Sequence, residues 1–191
     1  MKFILASKSP RRREILKTIN LDFKIIPSAL DESQILIDKS PKKYCLKLAK
    51  LKSKDISNRY HNYTVIGADT IVVIRDQILN KPKSLQDAKR MLSLLSDKTH
   101  QVITAVSIRN KELNIKEDFI ETTSVTFYKL TDHEILKYID TYKPFDKAGS
   151  YGIQDGSNKF VKKITGSYHN IVGFPIAKFY QILKNKYNLF L

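Results

Sequence analysis

Cysteine occurs once in these 191 residues, tryptophan never, and glycine and proline six times each. A single thiol, Cys45, excludes an internal disulfide and a cysteine-based zinc site, and it fits a reducing compartment. No apolar run approaches the length of a membrane span. Near the N-terminus one lysine is followed only by FILA, so no secretory signal is expected, and the expected location is cytoplasmic. The histidines (His61, His100, His133, His169) form no H-x-x-H or H-x-x-x-H pair. The G-x-x-x-x-G-K-[ST] phosphate loop and the G-x-S-x-G elbow are also missing. Acidic residues are scarce, 19 against 34 basic ones, which gives a net charge of +15. The lysines are spread over nearly every segment and form no stripe, so the charge does not indicate a nucleic-acid-binding module. A field of this sign still attracts anionic ligands. The length suffices for one good-sized core or two small lobes.

Strand-like and helix-like stretches alternate. Residues 2–6 and 22–27 read as strands around a helix over 10–19, with Ser9 as N-cap and Pro10 at its first position. Ser40-Pro41 repeats that start signal for a helix to about Ile56, with Tyr44, Leu48 and Leu51 on one face. Tyr63–Gly67 is a strand. After a bend at Gly67-Ala68-Asp69, Thr70–Ile74 continues it or pairs with it. Ser84 and Asp87 predict a capping box for a helix to about Leu95, and Thr131 and Glu134 another for a helix to about Asp140. Val102–Ile108 and about Phe119–Tyr128 alternate as an antiparallel pair. Residues 142–158 read as a loop, Phe160–Ile164 as a short strand, and Pro175 opens a last helix with Ile176, Phe179, Tyr180 and Leu183 facing inward. The fold expected is α/β with a mixed sheet.

Four stretches carry candidate chemistry. LASKSPRRRE places Ser7, Lys8, Ser9, Arg11 and Arg12 where a strand ends and a helix begins, the usual phosphate position of α/β folds. Three arginines in a first helical turn oppose the helix dipole. An anion in front of Arg11 and Arg12 would offset that, with Arg13 left to solvent and the empty site electrostatically strained. In VIGADTIVVI, Asp69 interrupts apolar β-sequence, which is expensive unless the acid caps a bend or holds a cation or water. Asp31 and Glu32 could join it around a hard divalent ion. Lys81, before Pro82, is held extended. DKAGSYGIQDG concentrates Gly149, Gly152 and Gly156, with Tyr151 as a stacking ring and Gln154 as a base-reading amide. Cys45 reads as a buried packing thiol.

LASKSPRR, GADTIVV, LNKP and DKAGSYGIQ, followed by FVKKITGSYHNIVGFP, resemble the Maf family of nucleoside triphosphate pyrophosphatases from about residue 3 to 180. The resemblance implies one domain over 1–191, similar to the inosine-triphosphate pyrophosphatases, with an elongated mixed sheet flanked by helices and two lobes around a cleft, often as a homodimer. It implies hydrolysis of a nucleoside triphosphate to the monophosphate and pyrophosphate with Mg²⁺ or Mn²⁺. Asp69 matches the family's proton acceptor and Glu32 one of the polar residues lining the family's cleft, and these two carboxylates are the ones expected to hold the metal. Ser7, Arg11, Arg12, Lys52 and Lys81 match polar residues around the substrate. Arg11, Thr70 and Gln154 match positions that separate a dTTP/UTP branch from a 7-methyl-GTP branch, and they imply the former. Lys8, Asn80 and Asp155 depart from the residues usual there. The family is also associated with restraint of septum formation and cell division, so the alternative readings are a 7-methyl-GTP-type pyrophosphatase, a regulatory role and, on charge alone, a nucleic-acid-binding module.

Overall fold

A computed structural model describes residues 1–188, so the last three positions of the expected 1–191 domain lie outside the described residues. In chain order the elements are β1 (Phe3–Leu5), α1 (Pro10–Lys17), β2 (Phe23–Ile25), α2 (Pro41–Ser57), β3 (Thr64–Ile74), β4 (Gln77–Leu79), α3 (Leu85–Leu95), β5 (Thr99–Asn110), β6 (Ile115–Phe127), α4 (Asp132–Tyr142), β7 (Val161–Thr165), α5 (Tyr168–Val172) and α6 (Ile176–Tyr187). The seven strands form one sheet in the order β2-β1-β3-β5-β6-β7, with β4 pairing to β3. β1 runs parallel to both β2 and β3, whereas β3/β4 and β6/β7 are antiparallel, so the sheet is mixed as expected. β5 and β6 are neighbours joined by residues 111–114, a connection too short for a parallel crossover.

Contacts group the chain into two units. The first comprises Met1–Asp69, Thr104–Glu121 and Gly173 onward; the second comprises Thr70–Ile103 and Thr122–Val172. In the first, Ile4, Ala6, Ile56 and Val65 form a core between β1, β3 and α2. In the second, Val72, Leu92, Val102, Phe127, Tyr138, Tyr151 and Phe160 belong to a larger core, and α3 packs on α4. No helix among the described residues is long and apolar enough to cross a membrane.

The start signals act as expected at most helices. Ser9, Ser40 and Thr131 each accept a backbone N–H of the first turn through the side chain, and Thr131 with Glu134 forms the full capping box. At α3 only half of the predicted box forms. Ser84 accepts from the Asp87 N–H, but the shorter Asp87 carboxylate takes the Lys83 N–H and the Arg90 guanidinium instead. The predicted bend at Gly67-Ala68-Asp69 is absent, because β3 runs unbroken through these residues. Glycine serves close approach there. A Cβ at Gly67 would strike the Ala49 carbonyl and the Ser53 amide of α2. β4 and α5, too short to show periodicity, were not expected.

Candidate active site

The unbroken course of β3 puts Asp69 at the end of a buried run, nearly all of whose neighbours are apolar. Because Gly67 lets α2 sit directly on β3, one turn of α2 (Ala49 to Ser53) lies against the strand, and Lys52 lies within that turn. Tyr44, Leu48, Lys52 and Ile56 recur every fourth residue on the buried face of α2, so Lys52 is a lysine in an apolar stripe. Its Nζ donates to Asp69 Oδ1 at 2.7 Å and lies 2.8 Å from Glu32 Oε1. Lys52 and Asp69 are almost fully buried, while Glu32 is half exposed at the start of a 3-10 turn. Burial pushes the Asp69 carboxyl above the usual carboxylate value, against the pull of the Lys52 and Arg12 charges. The Cys45 thiol lies against the Asp69 carbonyl at 3.4 Å and is itself pushed well up by burial, so it is a packing thiol as expected.

The arginine run divides its residues by face. Arg12, in register with Ile15 and Leu16, is buried. Its Nε donates to the Gly173 carbonyl at 2.9 Å, and its Nη1 donates to the Ala68 carbonyl and to Ser7 Oγ at 3.0 and 3.1 Å. The strain expected of an empty site therefore does not arise at Arg12, whose guanidinium has neutral acceptors and the nearby Asp69 charge. Arg12 thereby holds Ser7 and the backbone next to Asp69 in place. Arg11 is half-buried, and Arg13 is exposed and paired with Glu14 at 2.9 Å.

Asp31 does not join this cluster. Its carboxylate caps the 3-10 turn, accepting from Ser33 N–H, Ser33 Oγ and Gln34 Nε2. Glu32 and Asp69 remain as two carboxylates that converge on one ammonium, and no group of three His, Cys, Asp or Glu suited to a metal occurs among the described residues. Two carboxylates are enough for Mg²⁺, which keeps waters and takes substrate phosphates as its other ligands, and Lys52 Nζ stands at the point where these two meet.

Thr70 follows Asp69 in β3 but belongs to the second unit, where the other candidates lie. Lys81 is exposed on the segment between β4 and α3. The glycine-rich loop is tied to that segment by the Gly149 N–H on the Asn80 carbonyl at 3.2 Å. Gly149 has φ +67° and lies so close to Val72 that a side chain would be both strained and crowded. Tyr151 is not the stacking ring expected. It is buried edge-on to Phe127 and His100, and its hydroxyl is 2.8 Å from His100 Nε2. Gln154 is exposed and lines a concavity of about 490 Å³ with Ile153, Asn158, Val161, Ile164 and Tyr168.

The sheet order and flanking helices define an α/β protein of the kind seen in the structure of the Staphylococcus aureus Ham1 protein. That similarity has a TM-score of 0.55 at 15% identity, covering 97% of this chain and 100% of that one. Sequence comparison defines the family: the chain belongs to the Maf-like proteins, whose family model matches residues 2–186. A Thermosipho africanus relative named dTTP/UTP pyrophosphatase is 48% identical over 183 residues, covering 96% of this chain and 92% of the relative. A Bacillus cytotoxicus relative of the same name is 46% identical over 183 residues, covering 96% and 94%.

Proposed function

We propose that this protein hydrolyses dTTP and UTP to the monophosphate and pyrophosphate. The observation that carries the reading is the buried Asp69 carboxylate, raised in basicity by its surroundings and held at 2.7 Å by Lys52. A base must be ionised yet willing to take a proton, and burial moves Asp69 in that direction. In the reaction, Asp69 accepts a proton from water as the water oxygen bonds to the α-phosphorus. The bond from that phosphorus to the α,β-bridging oxygen breaks, and pyrophosphate leaves with the electron pair. Lys52 keeps Asp69 oriented and ionised. Arg12 fixes Ser7 and the Ala68 carbonyl, and so the backbone from which Asp69 projects.

Glu32 and Asp69 would hold Mg²⁺ or Mn²⁺, whose chemistry is to draw charge from phosphate oxygens and to acidify water. Ser7, Arg11, Arg12, Lys52, Thr70, Lys81 and Gln154 are taken as the substrate-handling set, with residues 1–191 acting as one catalytic domain in the cytoplasm. The relatives' shared name supports the choice of dTTP and UTP over 7-methyl-GTP.

The test is a panel of UTP, dTTP, CTP, ATP, GTP and 7-methyl-GTP with Mg²⁺ or Mn²⁺, with products separated by anion exchange. UMP or dTMP appearing together with pyrophosphate is the expected result. UDP with orthophosphate as first products would overturn it.

A further inference from the structure

The turn of α2 that carries Lys52 is tied to three neighbouring strands. Gly67 admits it onto β3. Ser53, the residue after Lys52, has its Oγ 2.7 Å from Ser107 Oγ on β5, and both serines are fully buried. The Ser107 hydroxyl in turn bonds the Asp118 carboxylate on β6. Asp118 also accepts the Arg109 guanidinium at 2.8 Å and has Lys50 Nζ, from the same turn of α2, 3.1 Å away. Arg109 is fixed by two further bonds, to the Ile108 and Glu117 carbonyls at 2.9 and 3.2 Å. All of these residues belong to the first unit, together with Lys52 and Asp69.

The chain of hydroxyls has one direction. Burial pushes the Asp118 carboxyl up, but the bonds from Arg109, Ser107 and Lys50 outweigh it and hold the group below its usual value. An ionised carboxylate only accepts, so the Ser107 proton points to Asp118. Ser107 Oγ is then an acceptor toward Ser53, and the Ser53 proton fills the 2.7 Å contact. The other acceptor within reach of Ser53, the Lys50 carbonyl at 3.0 Å, already serves the α-helical ladder. The charge of Asp118 therefore orders both hydroxyls. Hydrogen bonds are directional and fix the distance and rotation of a helix, which non-directional apolar contact leaves adjustable.

Lys52 reaches Asp69 on a flexible four-carbon stem, so its 2.7 Å contact is only as well defined as the helix that presents it. Resting on the proposed activity, we infer that Ser53, Ser107 and Asp118 are positioning residues. The hydroxyl chain anchored on Asp118 sets α2 so that the Lys52 ammonium meets the Asp69 carboxylate. The three act through Lys52 and not on the substrate.

The experiment measures UTP turnover with Mg²⁺ in the intact chain for Ser107→Ala, Ser53→Ala, the double variant and Ser57→Ala. Ser107→Ala leaves the Ser53 proton the Lys50 carbonyl and leaves Asp118 its two cations, so the fold tolerates it. It should lower kcat about fivefold, the scale of one neutral hydrogen bond, with KM unchanged. Ser53→Ala should do the same, and the double variant should lose no more than either, because one chain is broken in all three. Ser57→Ala is the control, a buried serine of the same helix whose hydroxyl donates to the Lys54 carbonyl, and it should keep the wild-type kcat. Losses that multiply in the double variant, a raised KM in place of a lowered kcat, or an unchanged kcat in both single variants would overturn the positioning role and leave the pyrophosphatase reading intact. A wild-type protein that turns over neither UTP nor dTTP would instead overturn that reading. The Lys52 ammonium signal in nitrogen–proton NMR then decides the positioning. A signal shifted or broadened by Ser107→Ala and unchanged by Ser57→Ala supports it, and one unchanged by both overturns it.

Discussion

Asp69 owes both its reactivity and its instability to one cause. Withdrawing a carboxylate from water disfavours its charged form, and Lys52 and Arg12 return only part of what is lost. A raised folded-state value means that the group's contribution to stability is present at low pH and lost as pH rises through that value. Asp69→Asn should therefore cost turnover, about a hundredfold or more. It should leave the fold at neutral pH at least as stable as wild type, because Lys52 retains Glu32. Denaturant midpoints at several pH values check this, and the advantage of the variant should grow as pH rises. The same raised value puts the acid limb of kcat/KM above the ordinary aspartate value of about 3.9. Arg12 and Arg13 give a second residue-scale contrast. Arg12→Ala removes three buried hydrogen bonds and strands two carbonyls, so it should destabilise by about 3 kcal/mol. Arg13→Ala, on an exposed pair, should change stability by less than about 0.5 kcal/mol. Equal losses in the two unfolding curves would contradict the division of faces in α1.

At the scale of elements, the site depends on how closely α2 approaches β3. Gly67 sets that distance, since any Cβ there meets the α2 backbone rather than a side chain able to swing aside. Gly67→Ala should cost about 2 kcal/mol, in the range for overpacking. It should also cut kcat tenfold or more by carrying Lys52 away from Asp69. Thr131→Ala is the matching comparison. It breaks the capping box of α4 and should cost about 1 kcal/mol with kcat unchanged. A loss of kcat merely in proportion to stability in both variants would remove Gly67 from the account of the site.

At the scale of the molecule, the second unit carries a polar pair inside an aromatic core. His100 lies between Phe127 and Tyr151, and among the described residues it has only the Tyr151 hydroxyl as hydrogen-bond partner at Nε2 and none at Nδ1. Burial pushes its folded value down to about 3, against about 6.5 in an unfolded chain. Below about 6.5 the unfolded chain takes up a proton that the fold refuses, so stability is full above that pH and falls as pH drops toward 3. Between pH 7 and pH 5 the loss is about 2 kcal/mol from this residue. Chemical denaturation of wild type and His100→Phe at the two pH values isolates it: the pH-dependent loss should be smaller by that amount in the variant. An unchanged slope would mean that another group controls acid stability.

Local signals sufficed wherever the physics is local. The Ser-Pro starts of α1 and α2 and the Thr131–Glu134 cap are hydrogen bonds within one helical turn, so their residues alone determine them. The mixed α/β character followed from alternating periodicities, and an acid inside β-sequence already marked Asp69 as costly. Lys52 was legible in principle, as a lysine on the Tyr44–Leu48–Ile56 stripe, and so was the inward face of Arg12 beside Ile15 and Leu16. What Lys52 and Arg12 touch was not, because Asp69, Ala68 and Gly173 are distant in sequence and meet them only when strands and helices pack. Tertiary packing also reversed three expectations. β3 runs straight through Gly67 with α2 packed on it, Tyr151 is buried with its hydroxyl on His100, and Arg12 finds the distant Ala68 and Gly173 carbonyls, whereas Asp31 caps its own turn by hydrogen bonds within three residues. A sequence states which groups must find partners, whereas long-range packing selects the partners and so decides the basicity of Asp69.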